Sequence, residues 1–258
     1  GLGDVYKRQE FNMKLKRLGR AAFICVIGAG LIFSSQFGIK NAHAIGLGGY
    51  LTFGKGNSEL NSEYEDGNED EFESNGDAEV RGIGFLFDTA VAKDRVFNYR
   101  LQIGYEKTEY DFDELKNTKT NENLTPDLNN FELDIERFVI DNTFGFGIVR
   151  KESFRLWIGP QVRIGYMSGD GSVTVSGDRT DLDFKGPIFG FAPVIGTNFN
   201  FKNNFTLGVD LGYRFNGFFG DFEEPDTNDE GTFYGNDDGF FINFALIYRI
   251  NDNFIKAK

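Results

Sequence analysis

The chain has 258 residues with 27 Lys and Arg against 40 Asp and Glu, a net charge of −13, and its one Cys (Cys25) and one His (His43) both fall in the first 44 residues. That head holds seven basic and two acidic residues, which leaves −18 on the rest. A body without Cys or His excludes disulfides, thiol nucleophiles, His-based triads and Cys/His zinc sites, and its acidity opposes nucleic acid, whose phosphates are bound through Lys and Arg.

Gly1–Asn12 precede the first Met and read as a non-native leader. Met13-Lys14-Leu15-Lys16-Arg17 opens a cationic stretch, Ala21–Phe33 is an apolar run of 13 residues, and Ala42-His43-Ala44 is a small-x-small site. These three parts predict a secretory signal peptide over 13–44, cut before Ile45, because the run is shorter than the roughly 20 residues a spanning helix needs. Ile24 before Cys25 does not fit a lipoprotein cleavage site.

From Ile45 onward apolar and polar residues alternate with a period of two, the pattern of half-buried strands. Phe97-Asn98-Tyr99-Arg100-Leu101-Gln102-Ile103 and Phe205-Thr206-Leu207-Gly208-Val209-Asp210-Leu211 are the clearest blocks. The pattern predicts eight strands, at about 46–56, 80–90, 97–109, 131–149, 154–167, 186–201, 205–217 and 240–250, with boundaries good to about 2–4 residues. Short turns near Lys93, Glu152 and Asn203 alternate with four long polar segments, Ser58–Glu79, Tyr110–Asn130, Ser168–Lys185 and Phe218–Gly239, read here as loops at one rim. An even strand number with short and long connections in turn is the layout of an eight-stranded, antiparallel, up-and-down transmembrane β-barrel.

A soluble lipocalin-like barrel shares that strand number but turns its apolar face inward. Here the polar faces carry Gly48, Gly84, Gly104, Gly159, Gly165, Gly190, Gly196, Gly208 and Gly212, while the apolar faces carry Phe85, Phe97, Tyr99, Phe144, Phe191, Phe215, Phe240 and Phe244. An eight-stranded interior is only wide enough for side chains to fill it, so the bulky face belongs outside, against lipid. The segments Leu156-Trp157-Ile158-Gly159-Pro160-Gln161-Val162-Arg163, Gly190-Phe191-Ala192-Pro193-Val194-Ile195-Gly196 and Leu207-Gly208-Val209-Asp210-Leu211-Gly212-Tyr213-Arg214-Phe215 resemble strands five to seven of the small outer-membrane β-barrel superfamily, the OmpA-, OmpX- and OmpW-like porin family domains. The resemblance implies residence in the bacterial outer membrane, outer-membrane lipid and the barrel-assembly machinery as partners, and a monomer; it leaves activity open, since that superfamily includes anchors, narrow pores and adhesins. Such chains usually end on an aromatic residue, whereas Tyr248 is followed here by ten more residues, of which Asn251–Lys258 form a tail.

The inward register collects Asp88, Arg100, Gln102, Glu106, Arg155, Trp157, Gln161, Arg163, Asp210, Arg214, Asn243 and Arg249. Buried charges are costly unless paired, so the expected arrangement is an interlocked lumen network of Asp88, Arg100, Glu106, Arg155, Arg163, Asp210, Arg214 and Arg249; the alternative is a constriction that passes small solutes. No water-activating constellation has recognisable spacing, so the expected role is a non-enzymatic envelope component without a cofactor. Ser58–Glu79 holds ten carboxylates and no Lys or Arg, a segment that would attract divalent cations diffusely. Asp226, Asn228, Glu230 and Asp237 partly match the spacing of a calcium loop, and an Asp/Asn-rich turn is the competing reading. Finally, Phe131, Leu133 and Ile135 run out of phase with Phe138 and Ile140, which a bulge near Glu136–Arg137 would reconcile.

Overall fold

The computed structural model describes residues 45–64, 71–89, 96–227 and 229–250. The expected leader and signal peptide and the Asn251–Lys258 tail lie outside the described residues, as do Glu65, Asp66, Glu69 and Asp70 of the first acidic segment and Lys93 of the expected first short turn.

Among the described residues nine strands follow in order: β1 (Ile45–Tyr64), β2 (Glu71–Asp88), β3 (Phe97–Asn117), β4 (Glu122–Asn123), β5 (Leu128–Arg150), β6 (Phe154–Val175), β7 (Asp178–Asn200), β8 (Phe205–Glu224) and β9 (Asp229–Ile250). All except β4 form one antiparallel ring, each long strand beside its neighbour in sequence, closed by β1 against β9; β4 is a two-residue addition to β3. Following paired residues once round, from Asn57 through Asp238, Phe215, Phe191, Val162, Asn142, Leu101 and Phe87, the path returns to β1 at Leu47, a stagger of ten residues. At about 3.3 Å per residue along a strand and about 4.8 Å between strands, this stagger tilts the strands by roughly 40°.

The eight expected strand cores all lie within the ring, but the described parts of the four polar segments are mostly strand rather than loop, with an irregular connection at 118–127. The β1–β2 ladder continues to Glu63 and Glu71, and Ser168–Lys185 is strand apart from a two-residue turn at Ser176 and Gly177. Both turn residues have positive φ, 53° and 94°, as a type I′ hairpin turn demands. The long strands therefore run 18–23 residues. Tilted by 40° they make a barrel about 45–55 Å tall, roughly twice the apolar band of an outer-membrane barrel.

The upper half is built with the opposite polarity. Near the end where Ile45 meets Ile250, called here the near end, outward residues such as Phe85, Ile83, Phe146 and Phe244 are apolar and exposed, and inward ones are polar or Gly. Towards the far end the faces exchange roles. Along β5, Phe131, Leu133 and Ile135 point inward and are buried, in one unbroken alternation with Arg137, Val139 and Asp141, while Phe138 and Ile140 point outward. The pairing of β5 with β3 and β6 is continuous through Glu136 and Arg137, so the expected bulge is absent there; what changes at that level is polarity, not phase. Register shifts in the ring fall instead at Asn75/Gly76, Leu128/Asn130 and Gly147/Val149.

The exchange is sharp on the outer wall. Moving towards the far end, Phe53 is followed outward by Lys55, Ile83 by Arg81, Tyr105 by Lys107, Phe138 by Glu136 and Pro187 by Lys185. Above that line Glu79, Glu109, Asp134, Asp170, Asp183, Glu223 and Glu230 stand directly opposite one another, strand to strand. Like charges in such cross-strand pairs repel. The ladder is relieved by Lys55 against Asp77 and Glu79, Arg81 against Glu109, Lys107 against Asp134, and Lys185 against Glu223.

Candidate functional site

Among the described residues ionisable groups converge out of water in the lumen, which is built in layers. All twelve residues of the expected inward set are buried in it. Nearest the near end, Arg100 on β3 donates to Asp88 at 2.7 and 3.0 Å, to Asp210 on β8 at 2.5 Å and to Asn198 at 3.0 Å, with its guanidinium 5.2 Å from the Trp157 ring centre. Gly196 is required here, because a Cβ at that position would lie 2.1 Å from the Trp157 ring. Arg249 and Arg155 are in the lumen as expected but bind turn backbone as well as side chains. Arg249 donates to the carbonyls of Phe201 and Phe205 and to Thr206, and Arg155 donates to the carbonyl of Val96 and to Asn98. Both tie the chain together where the strands end.

The second layer centres on Arg163 of β6, which makes two bidentate pairs: with Glu106 at 2.6 and 2.7 Å, and with Asp141 at 2.7 Å on both oxygens. Arg214 of β8 lies 3.9 Å from Glu106 and 3.7 Å from Asp141, donates to Gln161 at 3.1 Å, and sits 4.0 Å over the Phe241 ring. Two arginines thus face two carboxylates: Arg163 grips both in fork geometry, the strongest arrangement available to such pairs, while Arg214 adds its charge without a direct hydrogen bond to either. In the third layer Arg137 donates to Asp237 at 2.5 Å and to the Tyr110 hydroxyl, Tyr110 donates to Asp237 at 2.8 Å, and Asn216 donates to its other oxygen at 2.6 Å. In all, six arginines meet five carboxylates among the buried charged residues, so the lumen nearly neutralises itself.

Above these layers the interior is apolar. Leu60, Tyr110, Phe112, Phe131, Leu133, Ile135, Met167, Phe184, Ile188, Phe218, Phe222 and Phe233 form one buried cluster that fills the bore with side chains, as in the core of a soluble protein. The lumen is thus charged below and apolar above.

An outward apolar band around a closed ring, with the charges turned inward, is arranged for lipid, since only closed barrels satisfy every strand hydrogen bond there. No family model matches the chain, and no curated protein does. Among solved structures, the outer membrane protein OprG from Pseudomonas aeruginosa aligns with a TM-score of 0.52 and 10% identity, over 80% of this chain and 95% of that one. The fold is that of an outer-membrane β-barrel. The localisation that this fold implies is the bacterial outer membrane. The outer membrane protease OmpT from Escherichia coli (TM-score 0.39, 10% identity, 81% and 98% covered) and a major outer membrane protein from Thermus thermophilus (TM-score 0.37, 11% identity, 78% and 99% covered) align more loosely.

Three charged members of the barrel's network were missing from the inward set: Asp237, which reads as a loop residue in the sequence, and Asp141 and Arg137. For the two on β5 the signal was present: Arg137 and Asp141 lie in step with Val139 and Thr143, and the supposed bulge hid it. Gln102, Gln161 and Asn243 are buried with the arginines, Gln161 donating to Thr143 at 3.1 Å. The described residues of the partial calcium spacing, Asp226, Glu230 and Asp237, are not grouped as a site. Asp226 is in a turn, Asn228 lies outside the described residues, Glu230 faces outward and Asp237 faces the lumen, where Arg137 and Asn216 hold it. The physical reason is that Glu230 and Asp237 sit seven residues apart on one extended strand, roughly 23 Å and on opposite faces. Among the described residues no three His, Cys, Asp or Glu side chains are grouped as metal ligands. Asn142, outward among apolar neighbours, accepts a hydrogen bond from the Tyr99 hydroxyl at 2.6 Å, which satisfies both groups on the lipid side.

Proposed function

We propose that this protein is a non-conducting, non-enzymatic component of the outer membrane, with its near end in the periplasm and an acidic barrel wall standing clear of the bilayer on the outside. The observation that carries this reading is the double stopper: a bore filled first by paired arginines and carboxylates and then by an apolar cluster. A hydrated solute would have to break pairs whose disruption costs about 3–5 kcal/mol each, and then cross a dry core. Narrow-channel function has one observation in its favour, the buried polar atoms Tyr50 Oη, Gln102 Nε2, Trp157 Nε1 and Asn243 Oδ1, which make no hydrogen bond to protein and suit water in the lower lumen. That wet space ends below Ile135, Ile188 and Phe218. Planar-bilayer recording on the refolded barrel, shown folded by heat-modifiable gel migration, tests the reading. Folded protein that stays silent supports it, and steady single-channel conductance refutes it in favour of a small-solute channel.

A further inference from the structure

At the far end, above the apolar stopper, the barrel contains a cavity of about 400 Å³. It lies within the ≈300–1,000 Å³ range of small-molecule sites. Its walls are the aromatic and aliphatic side chains of Phe131, Leu182, Phe184 and Phe222, all buried although they stand beyond the lipid band. Phe184 packs against Phe222 and Phe233 at ring-centre distances of 5.9 and 5.1 Å and forms part of its floor, so it is a pouch closed from below. The polar groups on its wall are the hydroxyls of Ser62, Ser74, Thr180 and Tyr64, and one carboxylate, Asp229. Among the described residues no Lys or Arg lines it. Glu224, which accepts the Tyr64 hydroxyl, is paired in register with Asp229 and adds a second negative charge at the same rim.

These features select a ligand by chemistry. The apolar walls call for a hydrophobic body; aromatic faces and a carboxylate without a basic partner on the lining favour a positive head group and disfavour a negative one. We propose that the pouch is a binding site for a small amphiphilic amine, its apolar body of roughly ten heavy atoms against Phe131, Phe184 and Phe222, and its ammonium group donating to Asp229. The site is independent of whether the lower lumen conducts.

Three probes of one shape separate the contributions: 4-phenylbutylamine, 4-phenylbutanol and 4-phenylbutanoate. Each is titrated calorimetrically into the protein in phosphatidylcholine nanodiscs at neutral pH, with empty nanodiscs subtracted to remove partitioning into lipid. The amine is expected to bind saturably, one to one, at least about fivefold more tightly than the alcohol, the factor that one unit-charge contact at about 4 Å supplies in a water-like medium; the carboxylate is expected to show no saturable binding. Asp229→Asn, nearly isosteric and at the rim, should bring the amine to the alcohol's affinity and leave the alcohol unchanged. Val173→Trp, which fills the pouch, should weaken both by tenfold or more, with folding checked by gel migration. The proposal is overturned if no probe binds above the empty-nanodisc signal, if the carboxylate matches the amine, or if Asp229→Asn changes nothing.

Discussion

The outer face of β8 offers a ruler for the lipid band. Its outward residues are apolar from Phe205 to Phe219 and become acidic at Asp221, which puts Leu211 near the middle of the band and Gly217 near its upper edge. Leu211 is 49% exposed on the isolated barrel, so an Arg there displaces no packing and meets only hydrocarbon. An outward Arg at the midplane costs about 2–4 kcal/mol and near the interface about 0–1. Gly217 is the matching control, since a Cβ built there meets nothing within 4 Å and the substitution brings no crowding. Folded fractions in phosphatidylcholine vesicles, measured over a urea series by gel migration, should show Leu211→Arg destabilised by about 2–4 kcal/mol and Gly217→Arg by about 1 or less. A Leu211→Arg variant within about 0.5 kcal/mol of wild type, or a Gly217→Arg variant harmed as much, would refute the placement of the band.

Other outcomes follow from the layers. Ile135→Ala, above the band and wholly buried, should cost about 2–5 kcal/mol in the same urea series, as it would in a soluble core, although the residue lies in a membrane protein. Glu106→Gln leaves Arg163 and Arg214 short of one carboxylate and should cost about 3–5 kcal/mol, read by the same assay. Gly196→Leu should prevent folding by colliding with Trp157, seen as loss of the folded gel band and of the shielding of the chain's one Trp from acrylamide quenching. Because seven carboxylates oppose one another across the upper strands, stability should rise between about 0.01 and 0.15 M salt, where the screening length falls from about 30 to about 8 Å. Cysteines at Asn123 and Asp178 should react with a membrane-impermeant maleimide on intact cells and those at Glu152 and Asn203 should not; the reverse pattern would invert the barrel.

Period and glycine placement carried most of the architecture in the sequence. Gly104 and Gly196 lie where Tyr50 and Trp157 need the room, with added Cβ atoms only 2.1 Å from each, so small residues opposite large ones truly marked the inside. The height of the barrel was harder to see because the upper strands, such as Asp181-Leu182-Asp183-Phe184-Lys185, are rich in charge and score as loop by polarity alone. Their alternation was intact; what had changed was which face met water. The same inversion made Phe131, Leu133 and Ile135 look out of register and drew Arg137 and Asp141 into a bulge that does not exist. Asp237 was misread for a related reason: an acid-rich run was assigned to a loop when every second residue of it points into the bore.

The line at which the outer wall turns from Phe53, Ile83, Tyr105 and Pro187 to Lys55, Arg81, Lys107 and Lys185 also settles how deep the barrel rides. Sinking it by a few ångströms would draw four cations and their acidic partners into hydrocarbon, at up to about 2–4 kcal/mol for each Lys or Arg that reaches the midplane. Raising it would bare Phe85, Leu211 and Phe244 to water, at about 25 cal/mol for every Å² exposed. Both displacements cost free energy, so the barrel has a preferred waterline, and whatever rests on its far rim is held at a set height above the bilayer.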